Sequence, residues 1–176
     1  MSQKKIVIIC LLFVSFASLC ASVKINLNGS MASYVQYVGY KESENIVFGS
    51  EVAVCPEFHF GNFSFGPVIY AGDYNTVIFS DPYRNPGRVS CAGCGLECNY
   101  LISKLIIGVD LSAKFTLFQQ EYGGLYSSID VSVFMGFSII KNEDMVLNLF
   151  VPLSFGFSAY SKSVKAGIGI SLGTGI

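Results

Sequence analysis

The stretch LYSSIDVSVFMGFSI at residues 125–139 alternates between two kinds of side chain from one residue to the next. Because successive side chains of a β-strand point to opposite faces, every second residue of such a stretch shares a face. Apolar residues hold one face and small or polar residues the other: Ile129, Val131, Val133, Met135, Phe137 and Ile139 stand against Ser128, Asp130, Ser132, Gly136 and Ser138. A helix, with its period of 3.6, would mix the two sets. The stretch therefore predicts a β-strand with one wholly apolar face.

The same alternation recurs along the chain. It continues at residues 145–157 and 164–173, and it occurs earlier at 23–31, 46–60, 63–69 and 107–117. Polar turns at Gly61-Asn62 and at residues 141–144 separate neighbouring segments, which indicates hairpins. Single-chain bacterial barrels close with an even number of strands, at least eight, so a barrel needs a further strand between about Arg88 and Ile106. Alternation is weak there, and Leu101, Leu105 and Ile106 suit a short loop helix equally well.

The composition requires an apolar environment. Of 176 residues, 52% are hydrophobic and only 13% charged, and the chain holds 15 Phe and 10 Tyr. Beyond the N-terminus no run approaches the roughly 20 apolar residues of a membrane-spanning helix, and the other architecture that satisfies its backbone within lipid is a closed barrel. We therefore predict an all-β fold, an eight-stranded antiparallel transmembrane β-barrel of up-and-down topology. A soluble secreted β-sandwich is the alternative, but the segments are long for it.

The N-terminus has the form of an export signal. Lys4 and Lys5 precede an apolar run at residues 6–17, and small residues follow. We expect a signal peptide at residues 1–21, cleaved near Ala21 or Ser22, and a barrel domain at 22–176. A retained anchor and lipid attachment at Cys20 are the alternatives.

The connections suggest an orientation. Phe58, Phe60, Phe63 and Phe65 flank the tight Gly61 turn, as in an interfacial aromatic girdle. We expect the short turns to face the periplasm. The outer loops would then span about 39–45, 72–99, 119–124 and 159–163. Eight tyrosines are predicted to lie near these other connections: Tyr34, Tyr37, Tyr40, Tyr70, Tyr74, Tyr122, Tyr126 and Tyr160.

An export signal followed by alternating strands with one long loop resembles the small eight-stranded bacterial outer-membrane proteins, including the OmpW-like and OmpX-like families. The resemblance is one of pattern over nearly the whole mature chain. No family motif matches residue by residue, so no functional residue is carried over. The resemblance implies location in the outer membrane, contact with outer-membrane lipid and insertion by the barrel assembly machinery. The OmpW-like families would further imply passage of small, including hydrophobic, molecules.

Three cysteines, Cys91, Cys94 and Cys98, fall within the long predicted loop at 72–99. Exported cysteines are commonly oxidised, so we expect one or two disulfides in that loop. A zinc site is the alternative, but a structural site usually needs four ligands and only His59 is available besides cysteines. We predict no metal site.

Charged residues fall on the polar faces of the predicted strands. An eight-stranded barrel is just wide enough inside to be filled by its own side chains, and buried charges there must pair. We therefore predict an interior polar network rather than a catalytic site, with no cofactor and no catalytic residue. Its members are Lys24, Glu51, Glu57, Asp110, Lys114, Asp130 and Lys165.

These features favour a non-enzymatic protein that presents its external loops as a surface binding protein, adhesin or antigen. A narrow channel for small molecules is the main alternative. The partner would be a host surface molecule in the first case and a small hydrophobic ligand in the second. With a net charge of −1, the chain offers no basic surface for nucleic acid.

Overall fold

A computed structural model describes residues 24–40, 44–79, 88–118, 125–141, 145–159 and 161–175. The predicted signal segment, the cleavage site expected near Ala21 or Ser22, and Cys20 lie outside these residues. The described residues form eight strands: β1 Lys24–Tyr40, β2 Glu44–Phe60, β3 Phe63–Phe79, β4 Arg88–Ile102, β5 Leu105–Phe118, β6 Leu125–Lys141, β7 Met145–Phe157 and β8 Ser161–Gly175. No helix in this part of the chain is long and apolar enough to cross a membrane.

The strands form one closed antiparallel barrel. Each pairs with its neighbours in sequence, and β1 also pairs with β8, so that Met31 lies between Val52 on one side and Ile170 on the other. Closure leaves no unpaired sheet edge. The predicted barrel is confirmed and the β-sandwich is wrong.

The fourth strand lies where closure requires it, at Arg88–Ile102. It joins β5 through a turn at Ser103-Lys104, where Ser103 has a φ of 60°. The loop helix considered for Leu101 and Ile106 is therefore wrong. The outer loop predicted at 72–99 is also wrong in extent, because β3 continues to Phe79 and β4 begins at Arg88. From Ala92 to Ile102 the outward face of β4 is apolar once Cys94 and Cys98 are counted as apolar side chains.

Outward side chains form an apolar belt around the barrel. Most outward positions of β5 to β8 are exposed Val, Ile, Leu, Met or Phe, and on β3 Ile69 is 68% exposed. Soluble proteins rarely expose a continuous apolar surface of this extent. On β6 the belt runs from Ile129 to Ile139, a span of eleven residues that matches the 9–11 of a tilted membrane-crossing strand.

The belt is placed asymmetrically along the barrel. We call the end with the turns at 61–62 and 103–104 the short-turn end, and the opposite end the long-connection end. At the short-turn end the apolar surface reaches the turn itself, where the Phe65 ring lies 5.7 Å from the rings of Phe58 and Phe60 and 6.2 Å from that of Phe63. At the long-connection end polar side chains join the outward positions, beside exposed Phe115 and Phe157. The polar residues are Asp73, Asn75, Arg88, Ser90, Ser127 and Lys162.

Candidate functional site: the barrel interior

Four charged side chains meet across the middle of the lumen. Glu51 of β2 accepts hydrogen bonds of 2.8 Å from Lys114 of β5 and from Lys165 of β8. Asp130 of β6 lies 3.2 Å from the Lys165 ammonium and 3.7 Å from that of Lys114. Each residue is only 3–4% exposed. Two positive and two negative charges balance, so this ion cluster compensates the desolvation of its members.

Three tyrosines surround the ion cluster. The Tyr74 hydroxyl donates a 2.5 Å hydrogen bond to Glu51. The Lys114 ammonium lies 4.5 Å from the centre of the Tyr70 ring, and that of Lys165 lies 5.1 Å from the centre of the Tyr34 ring. Each cation therefore contacts both a carboxylate and an aromatic face. These three tyrosines, predicted only to lie near the other connections, point into the barrel and not toward lipid.

Inward glycines make room for two of these rings. A Cβ added at Gly49 would lie 2.6 Å from the Tyr74 ring, and one added at Gly167 would lie 2.7 Å from the Tyr34 ring. Tyr34 and Tyr74 also belong to an apolar cluster, completed by Ala32, Val47, Val89 and Cys91. The lumen is thus filled at the ion cluster and on its long-connection side.

The other half of the lumen is open. A cavity of about 750 Å³ extends from the ion cluster to the short-turn end, where Lys24, Asn62 and Lys141 line its mouth. Its volume lies within the range of small-molecule sites in proteins. Among the described residues this cavity is a vestibule that ends at Glu51 and Lys114.

A second group of carboxylates lines the vestibule. Glu57 accepts hydrogen bonds from the side-chain amides of Asn28 and Asn99, at 2.9 and 3.1 Å, and lies 3.1 Å from the His59 ring. Glu97 accepts from Asn99 at 2.8 Å. Asp110 stands directly opposite Glu97 in the β4–β5 register. The side chains that donate hydrogen bonds to these glutamates, Asn28 and Asn99, are neutral, and His59 is the ionisable neighbour.

The interior network predicted from sequence thus divides into two. Four of its members form the ion cluster, Glu57 and Asp110 lie in the second group, and Lys24 lies exposed at the mouth of the vestibule. Sequence analysis missed Glu97 and the three inward tyrosines. The parity of their strands would have found them, since Tyr34 shares a face with Asn28 and Tyr74 with Tyr70.

The cysteines are not where the sequence suggested. Cys91, Cys94 and Cys98 lie within β4, in the barrel wall, and their thiols are free. Cys91 faces the lumen, while Cys94 and Cys98 face outward. Residues three or four apart on a strand are separated by roughly 10–13 Å, beyond the roughly 7 Å limit for a disulfide. The expected loop disulfides are therefore wrong.

Comparison with known proteins shows similarity in structure alone. No family model matches the chain, and no curated protein matches it in sequence. Neisserial surface protein A superposes with a TM-score of 0.56 at 11% identity, over 84% of this chain and 95% of that one. Ail, the attachment invasion locus protein of Yersinia pestis, solved with the heparin analogue sucrose octasulfate, also gives 0.56, at 10% identity over 85% and 99%. The chain thus has the fold of the small eight-stranded bacterial outer-membrane β-barrels.

Proposed function

We propose that this protein is a closed barrel of the bacterial outer membrane that presents its long connections outside the cell, as a surface binding protein or adhesin. The observation that carries the proposal is the asymmetric belt. The apolar surface reaches the turns at the short-turn end, so that end lies level with the membrane interface. At the long-connection end the strands carry outward charged residues, among them Asp73, Arg88 and Lys162.

The outer wall at the long-connection end carries charged and polar side chains that suit contact with water. Arg88 forms an ion pair with Asp73 on the outer surface, and Ser90 donates to the same carboxylate at 3.3 Å. Both charged residues lie on the strands that flank residues 80–87 in the sequence. Exposed loops on a rigid scaffold are common sites of recognition.

The filled half of the lumen argues against transport. A solute that entered the vestibule would have to displace the Glu51 ion pairs and the Tyr34 and Tyr74 rings to leave at the other end. Separating buried charges is costly. We therefore place a non-enzymatic binding role ahead of conduction.

The narrow channel remains the second candidate because of the vestibule. Its 750 Å³ would hold a small ligand, and Phe134, Val146 and Phe150 give its wall apolar area. In this alternative the ion cluster opens to let the ligand through.

Two measurements separate the candidates. Replacement of residues 80–87 by a short Gly-Ser turn should abolish binding to host cells, while the heat-dependent shift in gel mobility shows that the barrel still folds. In planar bilayers the native protein should give no steady conductance. Steady conductance that survives the loop replacement, with cell binding unchanged, would favour the channel.

The orientation has its own test. An epitope inserted at residues 80–87 should be accessible to antibody on intact cells. The same epitope at Gly61-Asn62 should become accessible only after the outer membrane is opened. The opposite pattern would overturn both the orientation and the proposed function.

A further inference from the structure

The vestibule wall carries a cluster of potential metal ligands that is separate from the ion cluster. Cys55 and Glu57 lie two residues apart on β2, so both face inward, and Glu97 faces them from β4. The Cys55 sulfur and one carboxylate oxygen from each glutamate all lie within 4.8 Å of one another. A thiol and two carboxylates therefore converge at one point of the wall.

The charge of this region is unbalanced. Within the described ranges, no Lys or Arg nitrogen lies within 4.0 Å of Glu57, Glu97 or Asp110, whereas Glu51 and Asp130 each have two lysine partners. His59 is the one ionisable basic group beside Glu57 in the same part of the chain. Carboxylates in an enclosed interior are normally paired or bound to a metal. Here a bound cation would supply the missing positive charge.

Two deeply buried groups at the cluster have atoms that could still bind a ligand, although Ser112 donates to Asp110 Oδ2 at 3.3 Å. Cys55 is 3% exposed, and its thiol forms no disulfide. Asp110, opposite Glu97, is also 3% exposed, and its Oδ1 has no hydrogen-bond partner among the described residues. Buried polar atoms are nearly always satisfied, so such atoms call for a ligand or water at the site.

We propose that Cys55, Glu57 and Glu97 bind a divalent metal ion, and that Zn²⁺ is the ion whose chemistry they fit. Thiolate sulfur with carboxylate oxygen is a ligand set that Zn²⁺ accepts, whereas Ca²⁺ and Mg²⁺ prefer oxygen alone. Three protein ligands leave the fourth position of the tetrahedron open to the vestibule. That position would hold water or a donor atom from a small molecule.

Neighbouring side chains are placed to orient these ligands. Asn99 donates to both glutamates, Asn28 donates to Glu57, and His59 lies 3.1 Å from the second Glu57 oxygen. Metal-binding carboxylates usually have such outer partners. Ligand atoms around zinc stand roughly 3.3–3.8 Å apart, so a bound ion would draw these three atoms, now within 4.8 Å of one another, closer together.

The test uses the whole barrel folded in detergent micelles and stripped of metal. Co²⁺ is the probe because a cobalt–thiolate bond gives a charge-transfer band in the near ultraviolet. We expect one Co²⁺ per chain, displaced by Zn²⁺, and loss of the band in Cys55→Ser. Zn²⁺ affinity should fall about 10- to 100-fold in His59→Ala, as for other outer partners, and further in Glu97→Gln.

Cys91→Ser is the matched control, because Cys91 is also a buried lumen thiol but lies beside Glu51. It should bind metal like the native protein. A native barrel with no thiolate band, a band that persists in Cys55→Ser, or one lost in Cys91→Ser would each overturn the proposal. The heat-dependent shift in gel mobility checks that each variant folds. If Cys55→Ser does not fold, the loss of Zn²⁺ affinity in Glu97→Gln, on a different strand, tests the same site.

Discussion

The Tyr74 hydroxyl of β3 donates a 2.5 Å hydrogen bond to Glu51 Oε1 of the neighbouring β2, the oxygen that also accepts from Lys165. Tyr74 therefore holds the central carboxylate in place between its two lysines. Hydrogen bonds to charged groups contribute about 1.5–3 kcal/mol each. Tyr74→Phe should lower the free energy of unfolding by about that amount, measured by urea titration in lipid vesicles. Tyr100→Phe, on the exposed outer face, should leave it unchanged; equal losses would contradict the assignment.

Removal of the central carboxylate itself should cost more. Glu51→Gln leaves two buried lysines with one carboxylate between them, and loss of one partner from a buried ion pair typically costs about 3–5 kcal/mol. The same urea titration measures the effect. Lys24→Gln removes a charge at the exposed vestibule mouth and serves as the control. A Glu51→Gln barrel as stable as the native one would show that the ion cluster does not hold the lumen together.

Close approach of Tyr34 to the backbone of β8 requires glycine at position 167. A Cβ there would lie 2.3 Å from the Ser33 carbonyl oxygen as well as against the Tyr34 ring. Gly167→Ala should destabilise the barrel by about 1–3 kcal/mol through overpacking. Gly29→Ala is the matched control, since its nearest neighbour would be 4.0 Å away. If both variants unfold at the same urea concentration, the packing argument fails.

The membrane depth of the belt can be read from lysine substitutions. Val133→Lys places a charge midway along the β6 belt and should cost about 2–4 kcal/mol of stability in vesicles. Ser127→Lys, outward on the same strand but beyond the belt, should cost about 0–1 kcal/mol. The difference between the two variants is the measured quantity. Equal costs would mean that the two positions experience the same environment.

Sequence alone predicted the barrel because lipid contact requires the same alternation in every strand, with apolar side chains outward and small or polar ones inward. In β6 this alternation is nearly uninterrupted, so the predicted stretch at 125–139 matches the observed strand to within two residues. In β4 the outward face includes Cys94 and Cys98, which were read as disulfide partners in a loop rather than as apolar wall residues. A cysteine serves either role, and the choice depends on its neighbours in space.

The interior was predictable in kind but not in pairing. The alternation of side chains predicted that Glu51, Asp130, Lys114 and Lys165 point into the barrel. Which of them meet depends on how the strands pair, and this brings Glu51 into contact with both lysines. The candidate metal ligands show the same limit. Cys55, Glu57 and His59 alternate along one face of β2 in the sequence, but Glu97 joins them only because β4 lies two strands away in a closed, narrow barrel.

The seam between β1 and β8 also bears on how the chain folds. Lys162 pairs with Gly39 and Ser171 with Ser30, contacts that join residues more than 120 positions apart. Such non-local pairing slows folding, because a long loop must be closed before the contact stabilises anything. Until β8 docks, β1 remains an open edge able to pair with another chain. We therefore expect a chain shortened before β8 to aggregate rather than form a smaller barrel.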